Sequence, residues 1–177
     1  TGPGGVKKGG FIKSPQFPNW FVAQLDETIT FNDRRYRTRP LVKSNQLDER
    51  NRYIDISRKK HRVVPVRFVQ SCPNGHLSDV SWREFVHKKN TNCRETLWLD
   101  EAGAGNDFAE IFVRCPKCNL RRPLSDAKQL ALGDKGIPAL GYCNGERPWL
   151  GSYGKERCES ASNNGGSYPN RLLVRSA

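Results

Sequence analysis

Six cysteines and three histidines are the residues of this chain best suited to chemistry. The cysteines stand at positions 72, 93, 115, 118, 143 and 158. Cys115-Pro-Lys-Cys118 is a C-x-x-C knuckle, which supplies two of the four ligands that tetrahedral zinc requires. A strand pattern precedes this knuckle, and Asn119 can adopt the left-handed conformation after it. Because no signal peptide opens the chain, the spacing favours zinc over three disulfides.

The second half of the zinc site is less sharply defined by the sequence. We favour one structural zinc with C-x2-C-x24-C-x14-C spacing, held by Cys115, Cys118, Cys143 and Cys158. The downstream tail contains few apolar residues, so a metal would supply folding energy there. Cys72, His76 and Cys93 are second or alternative ligands. His76 could equally be a structural residue that makes hydrogen bonds.

A catalytic role is not predicted. Four sulfur ligands leave no open position on a zinc ion, and catalytic zinc sites keep one. The sequence contains no H-E-x-x-H, Walker A, G-x-G-x-x-G or G-x-S-x-G motif. We therefore expect a protein that is not an enzyme. A zinc-dependent nuclease or deaminase is the rival class, and it would need an open metal position and a nearby carboxylate base.

Positive charge is concentrated in one stretch. The 177 residues include 30 Lys and Arg against 18 Asp and Glu, a net charge of +12. Residues 34–67 hold a large share of this excess, interleaved with Tyr36 and Tyr53. Cations bind phosphates and aromatic rings stack on bases, so the pattern predicts nucleic-acid binding. The predicted contacts are Arg34, Arg35, Arg37, Arg39, Arg58, Lys59, Lys60 and Arg62. Alternatively, the basic stretch binds an acidic protein partner or is simply a solvated surface.

Hydropathy excludes a membrane-spanning helix. The mean hydropathy is −0.74, and no run of apolar residues approaches eighteen. Together with the absent signal peptide, this predicts a cytoplasmic protein without a membrane partner. The sequence has no Met, so we expect a processed piece or a part of a longer protein.

The strand and helix patterns around these residues predict a loop-rich α+β fold, with small antiparallel sheets and short helices around a structural zinc site. Three regions are expected: an extended Gly/Pro/Lys arm at 1–19, strands with the basic segment at 20–67, and a cysteine-rich zinc module at 68–177. Strand patterns occur at 20–31, 63–71 and 171–175. Residues 96–100 and 109–114 predict a hairpin around a Gly-rich loop.

Two helices are expected. Ser81 and Glu84 form a capping-box pattern, and Val80 with Phe85 matches a hydrophobic staple, so a helix should begin at Ser81. Phe85 and Val86 should be buried, whereas Arg83 and Lys88 should face solvent. A second short helix is predicted over 125–132, ended by Gly133.

Several strings, read in order, support a family resemblance: Phe17-Pro-Asn-Trp-Phe-Val22, Val66-Arg-Phe-Val-Gln-Ser-Cys-Pro-Asn-Gly-His-Leu-Ser-Asp79, Ser81-Trp-Arg-Glu-Phe-Val-His87, Val113-Arg-Cys-Pro-Lys-Cys118, Pro123-Leu-Ser-Asp126, Cys143-Asn-Gly-Glu-Arg-Pro-Trp-Leu-Gly151 and Arg171-Leu-Leu-Val-Arg-Ser-Ala177. Over roughly residues 10–177 the chain resembles the N-terminal cysteine-rich region of the DrmB family, which belongs to the bacterial DISARM anti-phage system.

The resemblance implies that this chain is a non-catalytic subunit that partners a SNF2-like helicase. It also implies that the two proteins bind DNA together. An assembly module that contacts protein alone is the alternative. This chain departs from the family pattern at Val22-Ala-Gln-Leu25, where relatives usually carry a C-x-x-C. If that pair normally completes a site with Cys72 and His76 or Cys93, the site is incomplete here.

Overall fold

The computed structural model describes residues 16–104, 106–129, 136–160 and 166–175, and only the backbone of residues 152 and 153. Its strands are β1 (Trp20–Ala23), β2 (Glu27–Phe31), β3 (Arg34–Lys43), β4 (Tyr53–Ile54), β5 (Lys60–His61), β6 (Val63–Pro65), β7 (Phe68–Ser71), β8 (Leu77–Ser78), β9 (Leu97–Glu101), β10 (Ile111–Cys115), β11 (Leu120–Pro123) and β12 (Arg171–Val174). The α-helix of the described residues is α1 (Trp82–His87). Short 3-10 helices lie at Ser44–Gln46, Phe108–Glu110, Leu124–Lys128 and Pro148–Tyr153.

The largest sheet has the strand order β11-β10-β9-β3-β1-β6, and β2 also pairs with β3. Every pair is antiparallel. The ten-residue β3 organises this sheet, because its first half pairs with β2 and its end pairs with β1. Asn32 and Asp33 both have positive φ, 47° and 60°, as the tight turn from β2 into β3 requires. The predicted strands at 20–31 form, but they pair with β3 rather than with each other.

Two smaller sheets complete the described architecture. One has the order β12-β7-β8, and the other is the β4–β5 hairpin. The single strand predicted at 63–71 is in fact two, because the chain leaves the large sheet after Pro65 and enters the three-stranded sheet at Phe68. Pro65 lies on the outermost strand of the large sheet, as expected for a residue with no N–H to donate.

Helix α1 packs against β10 and β11 and contributes Trp82, Phe85 and Val86 to the main core, which also includes residues of β1, β3, β7 and β9. Phe85 and Val86 are buried as predicted, and Lys88 is exposed with a left-handed φ of 56°. Two expectations are wrong. The Ser81 side chain makes no capping hydrogen bond. Arg83 is half-buried, because its guanidinium donates to the carbonyls of Cys93 and Glu95 at 3.3 and 2.6 Å.

The remaining element predictions have mixed outcomes. The hairpin is confirmed as β9 and β10, with Ile111 opposite Glu101, and the last strand is confirmed as β12. The helix predicted over 125–132 is a 3-10 helix at Leu124–Lys128. Residues 130–132 of the predicted helix and Gly133 lie outside the described residues.

The antiparallel sheets and the single short α-helix of the described part agree with the expected loop-rich α+β class. The division predicted at residue 67 passes through the large sheet, because β9, β10 and β11 follow it in sequence yet share that sheet with β3. Most of the predicted arm at 1–19 lies outside the described residues. Among the helices described, none is long and apolar enough to cross a membrane.

Candidate metal centres

The cysteines and two of the histidines gather into two separate clusters. We name them the sheet-edge centre, formed by His87, Cys93, Cys115 and Cys118, and the tail centre, formed by Cys72, His76, Cys143 and Cys158. Within each cluster the four ligand atoms all lie within 4.8 Å of one another. The predicted grouping is therefore corrected: the knuckle at 115–118 and the downstream cysteines 143 and 158 lie in different clusters.

The sheet-edge centre is built on the turn between β10 and β11. Cys115 is the last residue of β10 and is fully buried, whereas Cys118 is exposed. Asn119 has a φ of 51°, as predicted, and its N–H donates to the carbonyl of Pro116 at 3.3 Å. This tight turn brings the two sulfurs of the knuckle to one side of the hairpin.

Cys93 reaches the knuckle from the loop after α1. The Arg83 guanidinium holds the carbonyl of Cys93, and the N–H of Cys93 donates to the Thr91 hydroxyl at 3.1 Å. These bonds fix the loop so that the Cys93 sulfur lies 3.8 Å from the sulfurs of both Cys115 and Cys118.

His87 completes this centre from the last turn of α1. Its Nδ1 lies 2.7 Å from the carbonyl oxygen of Arg83 and can only donate to it. Its Nε2 is therefore the unprotonated nitrogen of the neutral ring, yet that atom is buried without a hydrogen-bond partner among the described residues. A buried acceptor without a partner is unfavourable. A metal ion bound to Nε2 would satisfy it, and a carbonyl on the other nitrogen is a common second contact of a ligand histidine.

The tail centre begins at the turn between β7 and β8. The N–H of Cys72 donates to the carbonyl of His76 at 3.2 Å, and Gly75, with a φ of 78°, closes the turn. This places the Cys72 sulfur 3.3 Å from Nδ1 of His76. The sulfur of Cys158 lies 3.9 Å from that of Cys72.

Cys143 joins the tail centre through a second tight turn. The backbone N–H of Gly145 donates to the Cys143 sulfur at 3.3 Å. Gly145 has a φ of 74°, and a Cβ there would stand 1.7 Å from the carbonyl oxygen of Glu156. Only glycine therefore allows residues 143–146 to approach the segment that carries Glu156 and Cys158.

Glu156 holds the outer side of the His76 ring. Its carboxylate lies 2.6 Å from Nε2 of His76 and accepts from Arg147 at 2.7 Å. The hydrogen bond from His76, with help from Arg147, lowers the pKa of the Glu156 carboxyl. A carboxylate on the outer nitrogen directs the lone pair of Nδ1 toward the three sulfurs, an arrangement frequent in zinc proteins.

Sulfur–sulfur distances of 3.8 Å in the sheet-edge centre and 3.9 Å in the tail centre suit a tetrahedral metal, and all six cysteines are free thiols in this structure. Sulfurs bound at about 2.3 Å to one zinc ion stand about 3.8 Å apart, whereas a disulfide needs about 2.05 Å. Burial raises the pKa of the Cys143 thiol to about 12, and the hydrogen bond with Cys93 raises that of Cys118 to about 11. A metal would displace these protons and make thiolates of both. Both clusters could thus hold a metal ion, and three sulfurs with one imidazole are compatible with zinc.

Sequence reasoning did not select His87 as a ligand. The position of His87 in the sequence could have indicated this role, because it lies six residues before Cys93 and directly after the buried pair Phe85 and Val86 on the predicted helix. Because Cys₃His is a common zinc ligand set, a histidine on the buried side of a helix end and close in sequence to a cysteine is a candidate ligand. His76 and Cys93, offered as alternative ligands, both lie within a cluster.

The predicted DNA contacts fall into two sets. Arg34 pairs with Glu110 at 2.8 Å, and Arg39 pairs with Glu101 at 2.6 Å with little exposure. Tyr36 is buried and therefore unable to stack on a base. The six other predicted cations are all exposed, namely Arg35 and Arg37 on β3 and, on or beside the β4–β5 hairpin, Arg58, Lys59, Lys60 and Arg62.

Comparison with known proteins places this chain in a family. Residues 7–177 match the profile of the family described as a domain of unknown function, DUF8724. The chain is also similar to the DISARM protein DrmB of Bacillus paralicheniformis, at 32% identity over 114 residues. That alignment covers 64% of this chain and 19% of the relative, so the chain spans only a small part of the length of the curated protein that it matches.

Proposed function

We propose that this chain, which belongs to the DUF8724 family, is a zinc-stabilised, non-catalytic DNA-binding module of a DISARM-type anti-phage defence complex. The observation that carries the DNA assignment is the group of four exposed cations on and beside the β4–β5 hairpin. The similarity to the DISARM protein DrmB supports the defence role. A cytoplasmic location is part of the same proposal.

The two Cys₃His clusters support a structural role for zinc. Each cluster offers four ligands, and a zinc ion with four protein ligands has no position left for water or substrate. This favours a binding module over the rival zinc-dependent nuclease or deaminase. The metal would then act by holding three chain segments together at each centre.

The electrostatics of the hairpin support DNA as its ligand. Arg58, Lys59 and Lys60 are consecutive and exposed, and Arg62 is exposed just beyond β5. The nearest acid in sequence, Asp55, is bound to His61 at 2.7 Å. The cations therefore retain an outward positive field, which attracts phosphates and releases counterions on binding.

A salt titration with matched variants tests the assignment. Lys59→Ala/Lys60→Ala should weaken DNA binding at physiological salt, and the slope of log affinity against log salt should flatten by about one unit for each phosphate neutralised by these lysines. The control is Lys89→Ala/Lys155→Ala, which removes two exposed lysines elsewhere and should change little. Equal effects of the two pairs, or none from either, would reject the hairpin as a DNA site.

A specific observation also favours docking to a protein partner. Trp149 and Leu150 are 57% and 51% exposed on the 3-10 helix Pro148–Tyr153, and exposed Trp residues are frequent anchors at interfaces. We propose the SNF2-like helicase implied by the sequence resemblance as the partner for this pair. Trp149→Ala/Leu150→Ala should abolish co-purification with that helicase while leaving the affinity and salt slope for DNA unchanged. If instead only the Lys59→Ala/Lys60→Ala variant loses co-purification, the hairpin is a contact for a protein partner rather than for DNA.

A further inference from the structure

The turn of the β4–β5 hairpin is held by its own hydrogen bonds. The N–H of Asp55 donates to the carbonyl of Lys59 at 3.0 Å, and the N–H of Arg58 donates back to the carbonyl of Asp55 at 3.0 Å. The Asp55 carboxylate also accepts from the N–H of Lys59 at 2.9 Å. With Arg58 at a φ of 64°, the chain reverses tightly and leaves Ile56 and Ser57 at the tip.

Ile56 is the anomaly of this turn. Its relative exposure is 101%, so the side chain contributes nothing to the core. Turn tips favour Gly, Pro, Asn, Asp and Ser, each for a backbone reason that a β-branched apolar residue does not share. Nothing in the folding of the hairpin explains an isoleucine at this position.

Several contacts hold the base of the hairpin. On the inner face, the rings of Tyr53 and His61 lie 6.4 Å apart, and His61 bonds to Asp55. The guanidinium of Arg52 makes two hydrogen bonds to the carboxylate of Asp48 at one end. At the other end the carbonyl of Arg62 accepts from the backbone of Gln24 at 2.8 Å.

The outer face combines this apolar tip with cations. Ile54 is 38% exposed and lies opposite the exposed Lys60, and Arg58 and Lys59 directly follow the tip in the chain. One fully exposed side chain is too little apolar area for stable membrane binding, which needs a wide apolar face. It is sufficient for DNA, since architectural proteins insert single Ile, Leu or Pro side chains between base steps while nearby cations bind the phosphates.

We propose that Ile56 is a wedge that inserts from the minor groove between two base pairs of duplex DNA and kinks it. This inference rests on the proposed DNA binding and specifies its form. The ligand is duplex rather than single-stranded DNA, and flexible pyrimidine–purine steps are preferred because they unstack most easily. Arg58, Lys59 and Lys60 contact the phosphates beside the kink.

The test uses the zinc-loaded chain and a short duplex with one central TA step, labelled at both ends for energy transfer. Ile56→Ala should lower the affinity about tenfold, on the order expected for one buried isoleucine side chain, and should remove the bend. The salt slope should stay unchanged because every cation that neutralises a phosphate is still present. Ile56→Leu keeps an apolar wedge and should still bend the duplex. Ile137→Ala removes an exposed isoleucine elsewhere and should behave as the unmodified chain.

The outcomes separate the wedge from DNA binding itself. If the lysine variant loses affinity but Ile56→Ala binds and bends the duplex normally, the wedge is wrong and the proposed function stands. If the unmodified chain binds no duplex, both proposals are wrong. If Ile56→Ala loses binding to vesicles of phosphatidylserine and phosphatidylcholine while DNA binding is unaffected, the tip is a membrane contact and the wedge is overturned.

Discussion

The two candidate metal centres have the same donors, three cysteines and one histidine, but very different surroundings. At the sheet-edge centre, Cys115 belongs to the main hydrophobic core, and Cys93 packs against it. At the tail centre, the three cysteines form a buried cluster of their own, joined by the partly buried Tyr168. A metal at the sheet-edge centre would therefore attach a loop and a turn to an existing hydrophobic core. A metal at the tail centre would supply most of the stabilisation that a hydrophobic core supplies elsewhere.

The largest effect is expected from removing ligands of the tail centre. Cys143→Ser/Cys158→Ser should release one metal ion and unfold residues 136–160 and 166–170, because structural zinc contributes about 10–16 kcal/mol in small domains. Hydrogen exchange should show reduced protection there and at Leu77, whose N–H donates to the carbonyl of Glu146. Protection of β3, β9 and β10 should persist. If these residues stay protected from hydrogen exchange after the metal is lost, the proposed difference between the two centres is wrong.

The matched change at the sheet-edge centre should have a smaller effect. Cys93→Ser/Cys118→Ser also removes one metal ion but leaves the fully buried Cys115 in the core. Exchange should increase in the loop at residues 88–96 and at the knuckle, while the large sheet remains folded because its apolar core is intact. Global unfolding of this variant would mean that the two centres have equal structural importance.

A still smaller effect, on metal affinity rather than on folding, is expected from replacing the Glu156 carboxylate that contacts His76. Glu156→Gln weakens the contact that orients His76, so the metal affinity of the tail centre should fall about 10–100-fold, and that of the sheet-edge centre should not change. Competition with a chromophoric chelator measures both. Glu159→Gln is the control, because Glu159 is exposed and pairs with the exposed Arg157. A similar loss in both variants would assign the effect to net charge.

The smallest effect is expected at Ser81. A capping serine replaced by alanine costs about 1 kcal/mol, but the Ser81 side chain makes no such bond. Ser81→Ala should therefore change the free energy of unfolding by only about a few tenths of a kcal/mol, within the range of ordinary surface substitutions. Urea denaturation measures this value, and a loss near 1 kcal/mol would restore the capping-box interpretation.

Local signals in the sequence predict local structure well. The knuckle with its left-handed Asn119, the helix after Ser81, and the hairpin of β9 and β10 all rest on contacts between residues close in the chain. Ligand grouping depends instead on how distant segments meet. The tail returns to the turn between β7 and β8, so Cys158 meets Cys72, 86 residues away, and no spacing rule contains that information.

The same limit applies to the basic stretch. The charges within residues 34–67, taken alone, indicate that most of its cations are unpaired. The sheet brings Glu110 to Arg34 and Glu101 to Arg39, across separations of 76 and 62 residues. Pairing with distant acids occupies these two arginines, whereas Arg35, Arg37 and the four cations on and beside the β4–β5 hairpin stay exposed.

The most direct test of the central proposal, two separate four-ligand zinc centres, is the zinc content of single chains measured by native mass spectrometry. We expect two zinc ions in the unmodified chain and one in each double variant, Cys143→Ser/Cys158→Ser and Cys93→Ser/Cys118→Ser. One zinc ion in the unmodified chain, absent from both variants, would contradict it and restore a single site shared by the knuckle and the downstream cysteines.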